Sequence, residues 1–377
     1  MMKKRTGKVG KSVLIAFALF AIFLFIIISA SIRTVKSKSY EEKIKAGQVY
    51  QSAQEIIKKE RLRLGLPVDP INDPNQTGLI GAQYTTITLE RNDLSSVLTT
   101  TDPNFPAIFI ELFKKLKLKA NDTIAIGLDG SLVGANLALY SAIRVLGLKP
   151  IIITTVSSAM WGANEAQFTF LDMERICYQE KIFPFRSLYA TLGGEDDLGR
   201  GFSPQGREEL INACRRNQVN LITTENLTTN IAKRVQIYLT SETESIPSEK
   251  IYQGRPRIKA FINIGKSVAN IGANRGALTQ GIIKNKNKKI DPNSVIYQML
   301  MRKIPVINIT EANKIASQYG IPIASVPLPA LGKGRLFAEK RYSETLALIF
   351  SILIIIILFF VIRYDLEYYL SKPKIKE

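Results

Sequence analysis

Residues 122–155 read DTIAIGLDGSLVGANLALYSAIRVLGLKPIIITT, and this stretch decides the fold. Residues 123–127 and 150–155 are short apolar runs rich in β-branched side chains, which is typical of buried strands. Residues 132–146 between them have the apolar spacing of a helix. A strand, a helix and a second strand in so short a stretch predict a right-handed crossover between parallel strands.

Similar units recur further along the chain. Residues 187–191 form another apolar run, and a helix is predicted to begin at Ser203-Pro204, because serine caps helices well and proline suits the first turn. Further short strands are predicted at residues 221–224, 260–264 and 305–309. Together these units predict an α/β fold with an open, mostly parallel, Rossmann-like sheet that is flanked by helices.

Two apolar runs bracket this domain, at residues 13–28 and 346–362. Each holds no charge and, with its flanks, approaches the roughly 20 residues with which a helix crosses a bilayer. One transmembrane helix is therefore predicted at each end, over residues 13–32 and 344–362. The first run could instead be a cleavable signal, because basic residues precede it. Its length, beyond the ~7–15 residues of a signal core, favours an anchor.

The positive charges beside the first run predict its orientation. Residues 1–12 hold five basic residues, whereas only Arg33, Lys36 and Lys38 follow the helix closely, and this excess favours a cytoplasmic N-terminus. A second crossing returns the tail, residues 363–377, to the same side. The prediction is a two-pass protein of the cytoplasmic membrane. Its extracytoplasmic part would hold a stalk helix within residues 33–66 and the α/β domain at 67–343.

The complete absence of histidine limits the chemistry that this chain can perform. It excludes Ser-His-Asp and Cys-His catalytic sites and imidazole metal ligands. Gly265-Lys266-Ser267 resembles the end of a phosphate loop, but strand-like residues precede it where such a loop needs flexible backbone. No nucleotide cofactor is predicted, and whether the protein is an enzyme stays open. Cys177 and Cys214 fall in predicted helices, and sequence alone does not decide whether they pair.

The charge of the chain is strongly positive, and residues 33–343 carry +14 of the total of +19. A field of this sign favours polyanions, including acidic polymers and anionic headgroups, although general solubility explains it equally well. Lys284, Lys286, Lys288 and Lys289 are separated by asparagines and predict a solvated loop. No nucleic-acid motif accompanies them, so a nucleic-acid partner is not predicted.

The candidate site residues follow the predicted strands, because ligands of open α/β sheets bind at the carboxyl ends of the strands. The candidates for ligand binding are Asp129, Ser131, Ser158, Trp161, Asn164, Asp172, Glu174, Asp196, Asp197 and Arg200. Carboxylates on a glycine-rich loop can hold an amine or a hard cation, and Asp196 and Asp197 would be the ligands of a divalent cation. The alternative is that this loop is a polar turn and that Asp172 and Glu174 lie on the exterior of a helix.

Several separated blocks of sequence carry a family resemblance. They are residues 77–81 (TGLIG), 102–105 (DPNF), 158–164 (SAMWGAN), 171–174 (LDME), 193–194 (GG), and Asp197, Gly199, Arg200, Gly201, Ser203 and Pro204. In these blocks the chain resembles the poly-gamma-glutamate system protein family, membrane proteins encoded with poly-γ-glutamate synthesis machinery. The resemblance implies an accessory part in biosynthesis, export or retention of this capsule polymer of the cell envelope. It also implies the polymer and the other synthesis components as partners.

The resemblance does not bring an assigned catalytic residue. A second hypothesis therefore stays open, that the protein is a membrane-bound hydrolase or transferase that uses carboxylates on γ-glutamyl bonds.

Overall fold

The computed structural model of the chain describes residues 8–240, 258–273, 278–286 and 289–364. The chain forms two compact units. The larger unit spans Lys38–Phe337, and the smaller unit joins the two ends of the chain, Met1–Ser37 and Ala338–Glu377.

The described residues form helices and strands that are numbered in chain order. The helices are α1 (Lys11–Ala30), α2 (Tyr40–Arg63), α3 (Leu94–Thr99), α4 (Pro106–Lys115), α5 (Val133–Leu146), α6 (Phe170–Gln179), α7 (Pro204–Arg216), α8 (Leu227–Thr240), α9 (Val268–Ile271), α10 (Val295–Met301), α11 (Ala312–Tyr319) and α12 (Glu344–Arg363), with a 3₁₀ turn at Gly130–Leu132. The strands are β1 (Arg33–Lys36), β2 (Thr123–Asp129), β3 (Lys149–Thr155), β4 (Asn164–Glu165), β5 (Phe168–Thr169), β6 (Tyr189–Thr191), β7 (Asn220–Leu221), β8 (Ala260–Ile264), β9 (Gly281–Ile283), β10 (Val306–Ile309) and β11 (Ala338–Arg341).

The larger unit is built on a seven-stranded sheet with the strand order β7-β6-β3-β2-β8-β10-β9. Neighbouring strands are parallel except β9, which pairs antiparallel with β10. The predictions of an α/β fold, of a mostly parallel sheet and of five of the six strands are confirmed, and the sixth, predicted at 221–224, is present as the shorter β7 at Asn220–Leu221. The sequence did not predict β9, because three residues are too few to show a strand period.

Helices cover both faces of this sheet. Side chains of β2 alternate between the faces: Ile124 and Ile126 belong to a core that also holds side chains of α2, α4 and α5, and Ala125 belongs to a core shared with α8 and α10. Because both faces are buried, the central strands are apolar throughout, which is why they were visible as continuous runs in the sequence.

The helix that was predicted as a stalk belongs to the larger unit, and the stalk prediction is wrong. Tyr50, Ala53 and Ile57 of α2 are fully buried in the core with α4 and α5. Near the end of α2, Arg61 forms a two-pronged ion pair with Glu165, with N–O distances of 2.8 and 2.6 Å. The apolar stripe of this helix therefore packs on the domain, and the globular unit begins near residue 38 rather than 67.

The smaller unit contains both apolar helices. β1 and β11 pair antiparallel, with Arg33 opposite Arg341, and the chain runs through α1 before β1 and through α12 after β11. Helices α1 and α12 are each long and apolar enough to cross a membrane. Their apolar side chains are largely exposed, as those of a lipid-facing helix would be.

The two cysteines lie in helices, as predicted. Cys177 is in α6, Cys214 is in α7, and both are free thiols. Burial raises the pKa of each thiol to about 12, so neither is a reactive thiolate near neutral pH.

Candidate functional site

A crevice lies where the direction of the sheet connections changes. From β2 the chain proceeds to β3, β6 and β7 on one side, and then to β8 and β10 on the other side of β2. At such a switch point the loops that follow two neighbouring strands run in opposite directions and leave a crevice between them. Open α/β sheets bind ligands in this crevice. The crevice is narrow, with about 10 Å³ open to the centre of a water molecule, and residues that follow β2, β3, β6 and β8 line it.

Asp129 is the last residue of β2 and lines the crevice. Its two carboxylate oxygens accept hydrogen bonds from the backbone N–H groups of Ser131 and Lys266, both at 2.8 Å, so the side chain bridges the ends of β2 and β8. Burial raises the pKa of Asp129 to about 6, and the nearby carboxylate of Glu90 adds to the rise, although the bonds from Ser131 and Lys266 oppose it. A carboxyl group of this pKa can exchange a proton near neutral pH.

Two serine hydroxyls in the crevice walls lack a partner. Ser157 follows β3 and is 2% exposed, and Ser267 follows β8 and is 7% exposed. Neither Oγ atom makes a hydrogen bond with the described residues. A buried hydroxyl without a partner is costly and uncommon, so both atoms are available to the polar groups of a ligand. Lys266, which is half-buried beside Ser267, adds a positive charge to the same wall.

Asp197 reaches the crevice from the loop after β6, but its carboxylate is already engaged. It forms an ion pair with Arg234 of α8, and it accepts hydrogen bonds from Thr191 at 3.1 Å and Thr155 at 3.3 Å. Arg234 also donates to Asn270 at 3.1 Å. Burial raises the pKa of Asp197, and the guanidinium of Arg234 opposes that rise. This network joins four elements behind the crevice.

Ser131 and Ser158 line the crevice, and their hydrogen bonds also position the neighbouring segments at Ala159 and Leu89. The Ser131 hydroxyl accepts a hydrogen bond from the N–H of Ala159 at 2.9 Å. The carbonyl of Ser158 accepts one from the N–H of Leu89, also at 2.9 Å, and this contact brings the neighbouring Glu90 to the crevice.

Trp161 and Asn164 lie beside the crevice and are not part of its lining. The backbone of Trp161 pairs with Gly81 and Ala82, at 2.9 and 3.0 Å. The Asn164 amide donates to the Ala82 carbonyl at 2.7 Å and to Thr88 at 2.9 Å. Both residues therefore hold the loop that precedes α3 in place through hydrogen bonds, and the ring of Trp161 does not line the crevice.

Asp172 and Glu174 lie in α6, and neither lines the crevice. Asp172 completes a capping box with Thr169 and binds Arg216 of α7 in two places, at 2.8 and 2.6 Å. Glu174 accepts hydrogen bonds from Tyr140 and from Ser187, and burial raises its pKa to about 7. Both carboxyl groups are buried, so the alternative that they lie on the helix exterior is wrong.

Asp196 and Arg200 form a local pair in the glycine-rich loop. Asp196 accepts backbone hydrogen bonds from Leu198 at 2.9 Å and Arg200 at 3.2 Å, and the exposed Arg200 side chain pairs with it at 3.2 Å. Asp196 and Asp197 thus have different partners. Across the described ranges, no three acidic, cysteine or histidine side chains form a group that could hold a metal ion.

Sequence reasoning missed Glu90, Ser157, Lys266, Ser267 and Arg234. Lys266 and Ser267 had a signal, because they directly follow a predicted strand, but they were considered only as part of a phosphate loop. The strand before them is present as β8, so that loop is absent, and the residues serve the crevice instead. Arg234 had no sequence signal, since it lies inside an amphipathic helix.

Comparisons of this chain with family models, with curated proteins and with solved structures find no match.

Proposed function

We propose that this protein is a membrane-anchored accessory component of poly-γ-glutamate biosynthesis, export or retention, and that its crevice binds the amino end of a γ-glutamyl chain. Within this proposal the sheet is of the Rossmann-like kind, α1 and α12 span the cytoplasmic membrane, and the larger unit lies outside it.

One observation carries the proposal: residues of three of the six sequence blocks line the crevice, although the blocks at 102–105 and 171–174 do not. The N–H of Gly81 donates to the carbonyl of Trp161 at 2.9 Å, which joins the first of these blocks to the third. Ser158 of the third block lines the crevice, and so do Gly193 and Asp197 of the last two blocks. Residues that are distant in sequence and converge on one concave crevice form a candidate binding site.

The crevice chemistry suits this ligand. The end of a γ-glutamyl chain has an ammonium group, a carboxylate and an amide. Asp129 and Glu90 supply negative charge for the ammonium group, Lys266 supplies positive charge for the carboxylate, and the free hydroxyls of Ser157 and Ser267 can bind the amide.

Deletion of the gene and complementation test the proposal. Loss of the protein should lower cell-bound polymer or shift it to the medium, and the wild-type chain should restore it. The Ser157→Ala, Ser267→Ala double variant should restore it poorly, because it removes the two free hydroxyls. Ser52→Ala, which removes an exposed hydroxyl of α2, is the matched control and should restore it fully. Unchanged cell-bound and shed polymer after deletion would reject the proposed function.

A second candidate, a hydrolase or transferase of γ-glutamyl bonds, is favoured by Asp129. A carboxyl group with a pKa of about 6, close to a second carboxylate and to free hydroxyls, has the properties of a general acid or base. Incubation of the purified full chain with poly-γ-glutamate should then release new amino ends, and Asp129→Asn should abolish the release. A polymer that keeps its length would reject this candidate and leave the binding role.

A further inference from the structure

The two helical layers of the larger unit differ in charge. Helices α2, α4 and α6 hold seven acidic residues among their basic ones, and ion pairs such as Lys114 with Glu42, at 2.7 Å, join the two signs. The opposite layer is different. Helices α8, α9 and α10 and strand β9 contain no acidic residue at all. Among the described residues between 258 and 310 there are seven lysines and arginines, and Asp291 is the one acid.

Three exposed basic side chains of this second layer contact neutral groups. Lys233 of α8 lies 3.5 Å from the side-chain oxygen of Gln236, and Lys286 lies 3.3 Å from the sulfur of Met301. Arg302 donates to the carbonyl of Gln298 at 2.8 Å. Their charges are therefore not neutralised locally, as the charges on the opposite layer are, and they are available to an external anion.

A groove between α8 and α10 runs through this basic surface. It encloses about 680 Å³, mouth included. Ile231 and Val235 contribute apolar lining, and Gln236, Asn293, Gln298 and Arg302 supply hydrogen-bond donors. Its lining extends from Thr228 to Leu239 of α8, about 17 Å along the helix axis at ~1.5 Å per residue.

We infer that this groove, with Lys233, Lys286 and Arg302 beside it, binds a linear polyanion. Amide donors and an arginine along a cleft suit successive carboxylates of an extended chain, and the charges continue past the cleft as a polymer would require. The choice of poly-γ-glutamate as the polymer rests on the proposed function, whereas the charge and shape of the groove do not.

Residues 241–257, between α8 and β8 in sequence, lie outside the described residues. They hold three acidic and three basic residues and therefore carry no net charge.

Two triple variants of the full chain in detergent test the inference. The groove variant carries Lys233→Glu, Lys286→Glu and Arg302→Glu. The control variant carries Lys45→Glu, Lys59→Glu and Lys117→Glu on the opposite layer, where all three lysines are exposed. Both change the net charge by the same amount, so they differ only in the position of the change. The probe is fluorescein-labelled poly-γ-glutamate, and the measurement is its anisotropy at increasing NaCl concentration.

At ~0.05 M salt the groove variant should bind at least about tenfold more weakly than the wild type, and the control variant should lose less than about threefold. At ~0.5 M salt the difference should disappear, because the charges are screened. Equal losses in the two triples would overturn the inference. So would a groove variant that keeps polymer binding but loses binding to vesicles of anionic lipid, because the partner would then be a membrane.

The two experiments distinguish failure of the proposed cellular role from failure of the polyanion groove. If the groove variant loses the polymer in vitro but gene deletion leaves cellular polymer unchanged, the polyanion groove stands and the role in poly-γ-glutamate fails. If deletion changes the polymer but the two triples bind equally, the role stands and the groove fails.

Discussion

Asp197 and Arg234 form an ion pair that is shielded from solvent behind the crevice, with side-chain exposures of 1% and 0%. Their sequence positions lie in the loop after β6 and in the middle of α8, and the pair is completed by hydroxyls of Thr155 and Thr191. Two charges buried together are tolerated because each satisfies the other, and either one alone is costly.

Removal of Arg234 should therefore destabilise the larger unit strongly. Arg234→Met leaves the Asp197 carboxylate buried without its counter-charge, and we expect a loss of roughly 3–5 kcal/mol in the free energy of unfolding. Asp197→Asn combined with Arg234→Met should lose less than Arg234→Met alone, because asparagine has no charge and tolerates the φ of +65° at this position. The measurement is denaturant unfolding followed by circular dichroism. Arg215→Met, which breaks an exposed pair with Glu208, is the control and should change stability by less than ~1 kcal/mol. Equal effects of the buried and exposed substitutions would contradict the assignment.

Glu174 should make stability fall as pH rises. The pKa of Glu174 is raised from 4.5 to about 7 in the folded chain, because the side chain is buried beside Tyr140 of α5. Below ~4.5 both states hold the proton, and the full contribution of the group is present. Between ~4.5 and ~7 only the folded state still holds it, so stability declines by roughly 3 kcal/mol at ~1.4 kcal/mol per pKa unit.

Glu174→Gln mimics the protonated side chain and should remove that part of the decline. The measurement is the unfolding free energy at several pH values from 4.5 to 7.5, with the exposed Glu208→Gln as the control. Asp129, whose pKa is also raised, should leave a smaller decline between ~4 and ~6 in the variant. A pH profile that is unchanged by Glu174→Gln would show that the carboxyl group titrates alike in both states.

The fold was predictable because its strands are buried on both faces, and the site was predictable only in part. Asp129 and Ser158 were found because they directly follow strands whose ends meet at one edge of the sheet. Asp172 and Asp197 were recognised as important, but their partners Arg216 and Arg234 come from helices that sequence order does not place nearby. A tertiary ion pair leaves no periodic signal, so reasoning from periodicity and turn chemistry could not distinguish a free carboxylate from a paired one.

The stalk prediction failed for a related reason. The α2 pattern is broken by many charged residues, which suggested a helix in solvent. Lys43 and Arg61 are nevertheless buried, because Glu111 and Glu165 pair with them. Long basic side chains can lie along an apolar surface when a carboxylate receives the charged end.

Gly265 should not tolerate a side chain. Its φ is +94°, which disfavours other residues, and a Cβ atom there would lie 2.2–2.3 Å from the carboxylate of Asp129. Gly265→Ala should therefore displace Asp129 from its bonds at the ends of β2 and β8. Gly65→Ala is the control, because Gly65 also has a positive φ, +74°, but has open space around it. We expect Gly265→Ala to lower the free energy of unfolding by at least ~2 kcal/mol more than Gly65→Ala. Equal losses would show that Asp129 can move without cost.

Cysteine labelling should show the larger unit outside the cytoplasmic membrane. The native cysteines are suitable for this test, because both are buried and the pKa of each is raised to about 12, so neither reacts with a maleimide in the folded protein. Gln51→Cys places a thiol on the exposed face of α2, and Lys8→Cys places one before α1. A reagent that cannot cross membranes should label Gln51→Cys in intact spheroplasts, and it should label Lys8→Cys only after permeabilisation. The reason is that an excess of positive charge before α1 retains that end of the chain in the cytoplasm. The reverse order would invert the topology, and labelling of both positions in intact spheroplasts would mean that α1 does not span the membrane.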